Sequence, residues 1–303
     1  MGMSAFIKRT RELMRFMVLI VVSMAISAVY GYMTWDGDFN SRLGSFVGCM
    51  SLAHPLSMGM AVLLANIIFK KRHNMRIRIS LSVIYLLSFG TLYLTQTRGA
   101  WLGWIFSTIA ILIFYKKRVV TAGLIITTII IIFSPGMIKE RVASITDLNT
   151  NSERIALWNA SLDTFVKNPI FGVGTHNGVK YFDEYLTRYK EDYKSYNGTS
   201  HNTYLSFLYQ NGLIGFLLLY ILFVLVPFKL RDGFKKIAVK NIDREWILIG
   251  TLGSFVSFVV SGMTQNVYSN QISGALIGVI LYFVYLFSKE EHAIERLYRN
   301  LKE

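Results

Sequence analysis

The chain has 303 residues, 53% of them hydrophobic and only 17% charged, with a formal net charge of +14. A soluble domain of this size carries roughly a quarter charged residues, so composition excludes an ordinary soluble globule. Excess cations often point to nucleic acid. Here, however, 22 of the 32 lysines and arginines fall in five short segments beside apolar runs, so the expected partner is anionic membrane lipid and not nucleic acid.

The apolar residues form eight stretches at or near bilayer length, about 17–25 residues for a helix. They cover 13–33, 52–69, 79–97, 99–115, 119–134, 203–227, 246–264 and 271–288. The first follows a basic start and carries only a weak cleavage signal at Ala25 and Ser27, so it reads as a retained helix. Residues 79–115 hold a single charge, Arg98. One helix of that length would reach about 55 Å against a hydrocarbon core of about 30 Å. A hairpin at Thr97-Arg98-Gly99 resolves this and puts Arg98 at a membrane surface. With the N-terminus in the cytoplasm, the 22 clustered cations all lie inside, as the positive-inside rule requires. The expected fold is therefore all-α. It is a polytopic integral membrane protein of about eight transmembrane helices, one domain over 1–303, both termini cytoplasmic, with a long helix-containing outer loop over 135–200.

No Asp or Glu falls in any of the eight stretches, which counts against an ion-coupled transporter. A single cysteine, Cys49, excludes an internal disulfide and a cysteine-based zinc site. No Walker loop, His-Glu-x-x-His pair or Gly-x-Ser-x-Gly elbow occurs, and neither metal nor cofactor is expected.

The outer loop begins where Pro135-Gly136 ends the fifth span. A helix capped by Asn151 or Ser152 should follow, its apolar face made by Ile155, Trp158, Leu162 and Phe165, with Asn168-Pro169 stopping it. A glycine-rich turn, Gly172 to Gly178, contains His176, and a tyrosine-rich amphipathic segment runs from Tyr181 to Tyr196. The sixth span starts after Ser200-His201-Asn202, with Thr199 or Ser200 as its cap and His201 in its first turn. Each feature has a plain structural reading beside any chemical one. The loop covers the bundle, and His201 is an interfacial polar residue. Arg98 anchors a hairpin tip, and Arg154 is a solvated residue paired with Glu153 or Asp147.

Three motifs in order resemble the bacterial O-antigen ligase and polymerase family. His201-Asn202, nine residues, then Gly212-Leu-Ile-Gly215 is similar to the ligase signature. Thr97-Arg98-Gly99-Ala-Trp101-Leu-Gly103 and Arg154-Ile-Ala-Leu-Trp158, continuing to Asn168-Pro169-Ile-Phe-Gly172-Val-Gly174, resemble the wider family. The resemblance covers about 80–225. It implies transfer of a polysaccharide from undecaprenyl diphosphate to a sugar hydroxyl of lipid A–core, at the periplasmic face of the bacterial inner membrane, without metal and with inversion. On that reading His201 is the general base, and Arg98 and Arg154 hold the donor diphosphate. Asn202, Gly212 and Gly215 are positioning residues of the motif. Arg42, His176 and the His54-Pro55 step are candidates to border the pocket. Family members usually have more spans than the eight read here, so the resemblance also implies a member shortened before the matched region. The alternatives are an O-antigen polymerase or related lipid-linked-glycan transferase, and a non-catalytic lipid or polysaccharide transporter.

Overall fold

The computed structural model describes residues 10–39, 41–70, 73–114, 136–144, 147, 151–175, 177–189, 199–240 and 245–267. The fifth and eighth expected spans, His176 and the end of the tyrosine-rich segment lie outside the described residues. Those described form helices and connecting turns, with no strand among them. In chain order the helices are α1 (Thr10–Thr34), α2 (Cys49–Phe69), α3 (Met75–Leu94), α4 (Arg98–Ile113), α5 (Gly136–Ala143), α6 (Ser152–Lys167), α7 (Gly178–Arg188), α8 (Thr203–Lys240) and α9 (Glu245–Gly262).

Within these, Cys49–Phe69, Met75–Leu94, Thr203–Leu225 and Glu245–Gly262 are long and apolar enough to cross a membrane, and Val18–Thr34 and Arg98–Ile113 are shorter apolar helices. The chain is a polytopic α-helical membrane protein. Lipid supplies no hydrophobic drive between helices, so close approach and interhelical hydrogen bonds must hold the bundle. Both are present. α9 packs most extensively against α2 and α4. A side chain at Gly103 would run into Ser261 and meet the Ser257 carbonyl at 3.0 Å, so α4 lies flat on α9. Ser57 of α2 and Ser257 of α9 share a buried hydrogen bond of 2.9 Å. α2 and α9 are mostly buried, whereas α3 and the apolar part of α8 face outward.

Three expectations are corrected. The α3–α4 turn is Thr95-Gln96-Thr97, two residues earlier than expected, so Arg98 opens α4 rather than forming the tip. The reason lies in the helix end: Arg42 Nε donates to the Thr95 carbonyl at 2.9 Å and its Nη2 to Thr97 Oγ1 at 2.9 Å. A cation there satisfies an orphan carbonyl and complements the helix dipole. Second, α6 buries Leu157 together with the small residues Ala156, Ala160, Ser161 and Thr164, while Leu162, on the expected apolar face, is exposed. Small residues win this face because α7 and α8 approach closely, through Phe182, Leu186 and Tyr209. Third, α8 extends past residue 227 to Lys240 but breaks its helical geometry at Gly212, with φ 63° and ψ −165°.

Candidate functional site

One end of the bundle collects the connections that sequence analysis singled out. The α1–α2 connection reaches the α3–α4 turn through Arg42 and through Gln96, whose Nε2 donates to the Phe39 carbonyl at 2.7 Å. Arg98, at the first position of α4, crosses to the loop. Its Nη1 donates to the Ser144 carbonyl and to Ser144 Oγ at 2.9 Å, and its Nη2 to Asn151 Oδ1 at 3.3 Å. Asn151 occupies the N-cap position of α6, yet its side chain makes no capping bond. It is committed to Arg98 and, through Nδ2, to the carbonyls of Ser144 and Asp147 at 3.1 and 2.6 Å.

Arg154 enters the same place from the first turn of α6. It is half-buried and has no hydrogen-bond or ion-pair partner among the described residues. Desolvation, followed by the positive charge of Arg98, pushes its pKa below the ordinary arginine value. Glu153 opposes the shift and Arg42 adds to it. A guanidinium holds its proton firmly enough to stay charged despite this shift. The outcome is a desolvated Arg154 within electrostatic reach of Arg98 and Arg42, without a partner among the described residues. The expected pairing of Arg154 with Glu153 or Asp147 is not made.

His54, in the second turn of α2, completes this group. It is 3% exposed, and its enclosed Nδ1 has no hydrogen-bond partner among the described residues. A side chain added at Gly99, next to Arg98, would stand 3.5 Å from its Cε1. Burying such a nitrogen without a partner costs on the order of 1–3 kcal/mol.

His201 approaches from the opposite flank. The cap of α8 is Asn202, not Ser200 or Thr199: its Oδ1 accepts from the amides of Tyr204 and Leu205 at 2.9 and 3.1 Å. His201 therefore precedes the helix, with a positive φ of 48°. Asn202 also donates to the Met263 carbonyl at 3.1 Å, and Thr203 Oγ1 to the Gln265 carbonyl at 2.8 Å. These bonds clamp the start of α8 to the polar turn after α9. That turn orients the imidazole, because His201 Nδ1 lies 3.1 Å from Gln265 Oε1. A carboxamide oxygen only accepts, so in the neutral ring Nδ1 carries the proton and Nε2 is left as the acceptor. The neighbouring Thr264 is the residue a side chain at Gly99 would strike. The 264–265 turn thus links His201 to Gly99, Arg98 and His54.

The family model described as O-antigen ligase matches residues 83–220. Over those residues the chain is similar to the O-antigen ligase family. The match is just under half of the 303 residues and includes Arg98, Arg154, His201, Asn202, Gly212 and Gly215. No curated protein matches the chain.

In the matched region the two glycines of the motif stand apart from the charged cluster. Gly212 is where the Asn168–Gly174 loop docks into α8. Leu213 N donates to the Pro169 carbonyl at 2.8 Å, Val173 N to the Tyr209 carbonyl at 2.9 Å, and Gly174 N to the Gln210 carbonyl at 2.8 Å. A side chain at Gly212 would overlap the Ile170 carbonyl and stand 2.6 Å from Gly172 N. The same break brings position 215 against Asn211, so Gly215 also lacks room for a side chain. Within the matched region these glycines shape the backbone, while His201, Arg98 and Arg154 bring functional groups together. Gln265, Thr264 and the Asn151 contact were not anticipated. The signal for the first two was the polar run Thr264-Gln265-Asn266 closing an apolar span.

Proposed function

We propose that this protein is an O-antigen ligase of the bacterial inner membrane, with both termini cytoplasmic and the 135–200 loop periplasmic. It transfers polysaccharide from undecaprenyl diphosphate to a sugar hydroxyl of lipid A–core. The observation that carries this is the desolvated Arg154, without a partner among the described residues, beside Arg98 and Arg42 and set across the 264–265 turn from a histidine whose Nε2 also has none there, inside the region similar to the O-antigen ligase family.

The chemistry follows from these groups. The acceptor hydroxyl oxygen attacks the anomeric carbon and forms the new glycosidic bond. The bond from that carbon to the diphosphate oxygen breaks, and its electron pair leaves with undecaprenyl diphosphate. Negative charge builds on the diphosphate during this step. Cations already in place, and already stripped of water, stabilise it without reorganisation. Arg154 contributes most because no carboxylate is bonded to its planar fork among the described residues. His201 Nε2 takes the proton from the acceptor, and Gln265 holds the ring in the tautomer that can do so. Attack opposite the leaving group inverts the anomeric centre. No metal is required, because guanidiniums supply the charge.

Deletion of the gene should remove polysaccharide from lipopolysaccharide while full-length polymer accumulates on the lipid carrier. His201→Ala, expressed at normal level, should do the same, and full-length ligation by that variant would overturn the base assignment. Deletion that leaves single repeat units on the core identifies a polymerase instead. Two observations argue against a non-catalytic transporter: the matched family is of ligase and polymerase type, and no carboxylate lies in the expected spans.

A further inference from the structure

The outer end of α6 and the turn that follows it expose large apolar side chains where a water-facing loop should be polar. Val166 is 73% exposed, Ile170 59% and Phe171 77%, and Leu162 is exposed beside them. Leu162 and Val166 are four residues apart and form a stripe on one side of α6, which Ile170 and Phe171 continue. The neighbouring side of the helix is polar: Lys167 pairs with Asp163 at 2.8 Å and with Glu184 of α7 at 3.3 Å. The apolar stripe is therefore a distinct surface.

Its position relative to α8 says what covers it. From Thr203 to Gly212 no residue of α8 is exposed, and exposure begins at Leu213. From there Leu213, Ile214, Leu217, Leu218 and Ile221 form the outward apolar face of a membrane-length helix. The Pro169–Phe171 turn is fixed to the beginning of that face by Leu213 N to the Pro169 carbonyl and by Ile214 N to the Ile170 carbonyl, at 2.8 and 3.4 Å. The turn therefore sits at the depth where α8 meets lipid.

Non-helical backbone at that depth must satisfy its own polar groups. This turn does so to a large degree. The carbonyls of Asn168, Pro169 and Ile170 accept from Gly172, Leu213 and Ile214, the amides of Gly172 to Gly174 are bonded inward, and Asn168 Nδ2 donates to the Thr164 carbonyl. Exposed apolar side chains over an internally bonded backbone suit hydrocarbon rather than water.

We propose that Leu162, Val166, Ile170 and Phe171 form a lip seated in the bilayer, continuous with the lipid face of α8, whose occupant is the acyl-chain zone beneath the headgroups. α6, which carries Arg154 at its other end, is thereby held at the membrane surface rather than above it.

Site-directed spin labelling tests this with the full chain in phosphatidylethanolamine–phosphatidylglycerol nanodiscs. Cys49 is the single cysteine, so a Cys49→Ser background gives unique labels at Phe171→Cys and Val166→Cys. Leu218→Cys on α8 is the lipid reference, and Lys180→Cys, exposed on α7, is the aqueous one. Relaxation by dissolved oxygen and by a water-soluble nickel chelate is then compared at each position. The lip predicts oxygen accessibility above that of the chelate at 171 and 166, as at 218. Chelate accessibility matching position 180 would overturn it. So would exclusion of both reagents, which would mean that protein, such as a second copy, covers the stripe. Both substituted positions are exposed and hold no buried contact, and agreement between them excludes a local effect of either label. The readout involves no transfer reaction, so it stands apart from the proposed function.

Discussion

Replacing Gly212 by alanine tests the junction between the loop and α8. Two separate costs can be worked out. The backbone there has φ 63° and ψ −165°, a conformation almost confined to glycine, so strain alone costs about 1–3 kcal/mol. The added methyl would also collide with the backbone of Ile170 and lie 2.6 Å from Gly172 N. Backbone atoms cannot swing away as a flexible side chain can. Relief means separating the loop from α8 and weakening two or more of the bonds at Leu213, Val173 and Gly174, at about 1 kcal/mol each. The sum is about 3–5 kcal/mol. Gly37 provides the control, since it has φ 80° and nothing within 4 Å of an added Cβ, so Gly37→Ala pays strain alone. Unfolding of the purified protein in mixed micelles by increasing denaturing detergent measures both. If Gly212→Ala costs within about 1 kcal/mol of Gly37→Ala, abutment of the two backbones is not why glycine stands there.

Three predictions concern the charged end. Arg154→Gln should lower kcat/KM for the lipid-linked donor by about 10–100-fold, the loss expected for a charge-assisted hydrogen bond. Stability of the same variant should stay level or rise, because a desolvated cation without a partner among the described residues is removed, and a stability loss with unchanged kcat/KM would mark Arg154 as structural. Gln265→Leu should slow transfer by about 10–100-fold, less than loss of the base itself at about 10²–10⁴, while Gln265→Glu, which keeps an acceptor for Nδ1–H, retains most activity. His54→Phe fills the same space without nitrogens, so it should preserve stability in the micelle assay but raise KM for the donor, and unchanged donor KM would show that the unpartnered imidazole meets no substrate.

Much of the fold was legible because bilayer crossing imposes long apolar runs. Met75–Leu94 and Glu245–Gly262 each match an expected span to within a few residues. The loop was harder, since its pattern does not say which partner wins. Ile155, Trp158, Leu162 and Phe165 repeat at helical spacing, yet close approach of α7 and α8 selects the smaller Ala156, Ala160 and Thr164 for burial. The break in α8 was visible only as a glycine motif, because the loop that forces it lies about forty residues earlier in the chain. At the site, Arg98, Arg154 and His201 could be named from their motifs. Gln265 could not, because its role comes from the clamp between Asn202 and Met263, two segments 61 positions apart.

The lip and the arginine cluster occupy opposite ends of α6, and this has a kinetic consequence. Arg154 and Val166 are twelve residues apart, or about 18 Å along a helix. One end is tied to the bundle through Asn151 and Arg98, and the other, on our reading, rests in lipid. On the proposed function the donor's diphosphate also resides at the membrane surface, because its polyprenyl chain stays in the bilayer. A helix laid on that surface presents Arg154 at the height the diphosphate occupies. Introducing charge into the lip with Phe171→Asp should lift the outer end of α6 while leaving Arg98, His201 and Gln265 untouched. Donor binding should weaken and KM for the lipid-linked donor rise, whereas kcat, set by groups at the far end, should change little. If kcat falls and KM holds, the lip is not what sets the height of Arg154, and the two ends of α6 act independently.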